Sequence, residues 1–139
     1  MTNPQDFIDM AEAIAQALAD AATEIGITTA ELRFEGQGVD MVAPGIIVMF
    51  SPPAAPDAAR GLPQFQSWEL TLFVCASAKA TVAHAAVEAM TIAQKAHMIL
   101  RAWRGMLELN AAEPFAFVRA LPDNFICAVN YDVPFSLFP

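Results

Sequence analysis

The sequence predicts a single α+β domain over residues 1–139: one mixed, mainly antiparallel β-sheet, two helices packed on one face, and a projecting β-hairpin or loop. Three observations predict it. Two segments carry apolar residues at three-four spacing, the mark of an amphipathic helix. Two others, Glu31–Glu35 and Gln64–Ala76, alternate in the period of a strand. Finally, Leu121-Pro122-Asp123-Asn124 is turn chemistry between two more apolar strands.

The first helix opens at Asn3, a good N-cap, with Pro4 in the first helical position and Asp6 adding negative charge to the first turn. Phe7, Ala11, Ile14, Leu18, Ala21 and Ile25 form its apolar stripe, and Gly26 ends it at the C′ position. Glu31–Glu35 then reads as a half-buried strand, with Leu32 and Phe34 inward. Gly36-Gln37-Gly38-Val39-Asp40-Met41 is a flexible connection. The run Ile46-Ile47-Val48-Met49-Phe50 has no polar alternation, so the strand Gly45–Ser51 is expected to be covered on both faces.

Pro52, Pro53, Pro56 and Pro63, mixed with alanines, preclude a regular element and make a long loop. Loops of that length are often functional. The strand Gln64–Ala76 comes next. Trp68, Leu70, Leu72 and Val74 share one face, while the other runs from wet (Ser67, Glu69) to dry (Phe73, Cys75). A strand that becomes buried along its length fits an arm that enters the body of the domain. Ser77 is the expected cap of a second helix, Ser77–Arg104, whose inner face is Val82, Ala86, Met90, Ala93, Leu100 and Trp103, broadened by Val87, Ile92 and Ile99. Arg101 and Arg104 suit its last turn, and Gly105 its end. Met106–Leu109 is at most a short strand. Phe115–Leu121 and Phe125–Val133 form the terminal hairpin, and Pro134 confines the last residues of the chain to an edge or an extended tail.

Composition narrows the function classes. Hydrophobic residues make up 56% of the chain and charged residues 16%, against roughly 45–50% and 25% in soluble domains. A chain this size buries about two-thirds of its unfolded surface, so part of that apolar area needs an outlet. A membrane does not serve: the most apolar helical stretch, Thr81–Leu100, holds His84, Glu88, Gln94, Lys95 and His97. The N-terminal residues lack the basic region of a secretory signal. A cytoplasmic protein whose surplus surface meets protein is expected, with oligomerisation the default. The net charge of −8 argues against tracking a phosphate backbone. Cys75 and Cys127 both fall in strands and are expected to be buried free thiols.

No catalytic constellation emerges. Gly36-Gln37-Gly38 lacks the third glycine and the following helix of a dinucleotide site. His84 and His97 stand thirteen residues apart on one helix, roughly 140° around its axis, and cannot chelate one metal together. Acid pairs such as Asp6 with Asp9 and Glu31 with Glu35 fall on solvent faces. No cofactor is expected. The last residues, Pro134-Phe135-Ser136-Leu137-Phe138-Pro139, are unusually apolar for a terminus. Either they continue an edge strand, or they insert into a neighbouring subunit.

The element order resembles the tail-terminator and minor-tail-protein family of long-tailed phages, which includes the Mu-like and lambda-like terminators and has relatives in gene transfer agents. The resemblance is carried by Gly45-Ile46-Ile47-Val48-Met49-Phe50, by Trp68-Glu69-Leu70-Thr71-Leu72-Phe73-Val74, by Leu100-Arg101-Ala102-Trp103 and by Ala128-Val129-Asn130-Tyr131-Asp132-Val133-Pro134. It implies a hexameric ring that stops tail-tube polymerisation and joins the tail to the head or neck. DNA would pass through its lumen without specific binding, and it would be cytoplasmic during assembly and then sit at the head-proximal end of the tail. Expected partners are further copies of itself, the tail-tube protein and a neck or head-completion protein. Candidate contact residues are Asp40 and Met41, Pro52, Pro53 and Pro56 in the Pro-rich loop, Phe65 and Trp68 at the start of the long strand, and Phe135, Leu137 and Phe138 in the tail. A neck connector, a non-viral oligomeric adaptor or chaperone, and an enzyme with an unrecognised site stay open beside this reading.

Overall fold

Three helical segments and six strands make up the computed structural model of the chain, which describes residues 4–34, 37, 43–51, 65–101 and 107–136. Helices α1 (Pro4–Asp20) and α2 (Ala22–Ile25) are the expected first helix, interrupted at Ala21. Met10, Ala11, Ile14, Leu18 and Ile25 are buried along its stripe. Gly26 terminates α2 at φ 89°, a left-handed conformation that glycine adopts without a Cβ clash, and its N–H caps the Ala22 carbonyl at 2.8 Å. Asn3 lies outside the described residues.

The strands are β1 (Thr29–Phe34), β2 (Gly45–Ser51), β3 (Phe65–Cys75), β4 (Glu108–Leu109), β5 (Phe115–Leu121) and β6 (Asn124–Ser136). They form one mixed sheet in the order β1-β2-β3-β6, with β4 and β5 both on the outer side of β6. The pair β1–β2 is parallel and every other pair is antiparallel. Ile46 and Ile47 point to opposite faces and are both fully buried, so β2 is covered on both sides, as its unbroken apolar run predicts. Along β3, Leu70, Leu72 and Val74 join the core while Glu69 on the other face is exposed. At the end of the edge strand β1, Phe34 is 43% exposed instead of buried.

The centre of the sheet is the pairing of β3 with β6, continuous from Cys75↔Ile126 to Phe65↔Ser136. β2 accompanies β3 only as far as Glu69, and β4 accompanies β6 only as far as Asp132. Among the described residues, Phe65–Trp68 and residues 133–136 therefore form a two-stranded ribbon that projects beyond the sheet. Pro134 belongs to this ribbon. The Asn130 N–H donates to Pro114 O on the β5 side, and strand alternation places Asp132 and residue 134 on that same side. The donor that proline lacks thus falls where the described sheet has no neighbouring strand.

Helix α3 spans Val82–Leu100 and starts at Val82, not at Ser77; residues 102–104 of the expected range lie outside the described residues. Thr81 is its cap, accepting from His84 N at 3.2 Å. Ser77 has another partner: its N–H and its hydroxyl both donate to the Glu88 carboxylate, at 2.7 to 2.8 Å, which holds the strand-to-helix junction extended. The inner face agrees with expectation at Ile92, Ala93 and Leu100 and differs at other positions, while Trp103 lies outside the described residues. Ala85, Ala89, Ile92, Ala93, Ala96 and Leu100 are buried, whereas Val82, Val87 and Met90 are exposed. Small alanines let the helix backbone approach the sheet closely, and this outweighs burial of the larger side chains. α1 packs over β1 and β2, and α3 over β3 and β6, on the same face of the sheet.

Candidate functional site

The rotation of α3 creates a surface groove among the described residues. Because the alanine face lies on the sheet, Val87 and Met90 are left beside the outer strands, and an open groove of about 490 Å³ runs between them. Val87, Met90, Gln94 and His97 line its helical wall; Leu109 from β4, Phe115 from β5 and Val129 from β6 line the other. Val87 is 63% exposed, Met90 49% and Leu109 45%.

Two polar arrangements fix the groove walls. At one end Nδ1 of His97 lies 2.6 Å from the Tyr131 hydroxyl, with the two rings stacked at 5.8 Å between centroids. Burial pushes the Tyr131 phenol above its ordinary range, so it keeps its proton. With only 2% of Tyr131 exposed, this hydroxyl joins α3 to β6 and is closed to solutes. The second arrangement centres on Asn130. Its Oδ1 accepts from Thr71 Oγ1 at 2.9 Å and its Nδ2 donates to the Glu113 carbonyl at 2.8 Å. Asn110 Oδ1 accepts from Ala112 N and Glu113 N, and its Nδ2 donates to Asp132. Together they pin the segment 110–114 on β6, setting Pro114 and Phe115 at the groove rim.

The apolar surface continues along β5. Phe117 is 61% exposed, packed edge-on against Phe115 and Phe125 at 5.3 and 5.6 Å, with Val118 and Leu121 exposed beside it. The register between β5 and β6 slips between Phe117 and Arg119, a bulge that blunts this edge against uncontrolled strand pairing. Exposed apolar side chains here are the surplus that the composition foreshadows.

The thiols are as expected. Cys75 and Cys127 are free and buried. Cys75 is paired with Ile126 and Cys127 with Val74, so the two lie on opposite faces of the sheet and cannot bridge. Burial pushes the Cys127 thiol up to about 12, and raises that of Cys75 as well.

Of the residues singled out from sequence, Phe65, Trp68 and Phe135 come together on the projecting ribbon, paired with Ser136, Val133 and Gln66 respectively. Asp40, Met41, Pro52, Pro53, Pro56, Leu137 and Phe138 lie outside the described residues. The groove residues Val87, Met90, Leu109 and Phe115 escaped sequence reasoning as a site. The available signal was the run Phe115-Ala116-Phe117-Val118, too apolar for an edge strand with a solvated side. Among the described residues no three His, Cys, Asp or Glu side chains gather to hold a metal ion. Among them, no helix is long and apolar enough to cross a membrane. Compared with protein-family models and with curated proteins, the chain matches none.

Proposed function

We propose that this chain is a non-catalytic structural subunit that assembles into a closed ring, and that the ring is a tail terminator of the long-tailed-phage type. It ends polymerisation of a tail tube and joins the tail to a neck or head-completion protein. The observation that carries the oligomeric part is the exposed apolar surface formed by the α3 groove and β5, at one lateral end of the sheet. Apolar patches of this kind on small domains mark protein contacts. The ribbon of Phe65–Trp68 with residues 133–136 supports the rest, since a projecting two-stranded arm suits contact with a tube or a neighbouring copy.

In this reading the net charge of −8 serves the lumen, where like charge keeps DNA from sticking as it passes. The subunit is cytoplasmic until it joins the virion at the head-proximal end of the tail. The test is to add the purified protein to polymerising tail-tube protein and measure tube lengths by electron microscopy. Capped tubes of uniform length, each with a ring at one end, support the proposal; unchanged tube growth with no bound ring overturns it. The groove volume also falls in the range of pockets that hold apolar ligands. It favours, as a second reading, an oligomeric adaptor that seats an apolar segment of another protein.

A further inference from the structure

We draw no further inference here: the strongest candidate, the open apolar groove between α3 and the outer strands β4, β5 and β6, has nothing in the structure to show what covers it.

Discussion

The Tyr131 hydroxyl and Nδ1 of His97 lie 2.6 Å apart, joining the buried face of β6 to the flank of α3 where the groove ends. Burial keeps the phenol protonated well above neutral pH, so the link persists as a hydrogen bond and not an ion pair. A typical buried hydrogen bond contributes about 1 kcal/mol net. Tyr131→Phe keeps the ring stack and removes only the hydroxyl, so it should lower unfolding free energy by about that amount in urea titration. A Tyr131→Phe protein as stable as the wild type would show that the bond does not hold α3 in place.

Glu88 should matter more. Its carboxylate accepts from the Ser77 N–H and hydroxyl and sits 3.5 Å from the Lys79 ammonium. Hydrogen bonds to a charged group contribute roughly 1.5–3 kcal/mol, and the side chain is partly exposed, which lowers the share of the ion pair. Glu88→Ala is expected to cost about 2 kcal/mol by chemical denaturation, and Glu88→Gln less, since an amide oxygen can still accept. Equal stability of all three proteins would contradict this role.

The orientation of α3 can be tested by overpacking. Ala89 is fully buried against the sheet, so Ala89→Leu should destabilise by about 1–3 kcal/mol. Val87→Ser, at a position 63% exposed, should change stability by less than about 0.5 kcal/mol. The opposite ranking in thermal melts would restore the expected face with Val82 and Met90 inward.

That face shows where sequence reasoning stops. Where one residue type dominates a periodicity, the element is legible: the Ile14-Leu18 stripe ending at Gly26, the run Ile46–Phe50, the alternation through Leu70, Leu72 and Val74, and the turn at Pro122-Asp123 all stand in the structure. In α3, apolar residues of one kind or another occur on nearly every side of the helix, so three-four spacing fits several rotations and only the approach to the sheet chooses one. The cap moved for a similar reason. Ser77 and Thr81 are both good caps, and Glu88, eleven residues on from Ser77, decides between them. Parallel pairing of β1 with β2 and the groove itself join residues distant in the chain, which local pattern does not encode. The meeting of Phe65, Trp68 and Phe135 on one ribbon was legible only as two separate apolar ends.

The buried thiols give stability a pH dependence. A thiol raised by burial is protonated in the folded chain at pH values where the unfolded chain has begun to ionise. Its contribution is fully present below the unfolded value of 9.0 and is lost as pH rises toward about 12, where folded Cys127 titrates. Raised values for Cys75 and Tyr131 act with the same sign. Melting temperature should therefore fall as pH rises above about 9, and Cys127→Ala should show a shallower fall than the wild type. Parallel curves for the two proteins would remove Cys127 from the explanation.

Native mass spectrometry of the wild-type chain across a concentration series bears most directly on the ring. A hexamer of six 14.9 kDa chains, present without free dimer or open oligomers, is the expected result. A lone 14.9 kDa species at every concentration would contradict it, and with it the tail-terminator reading.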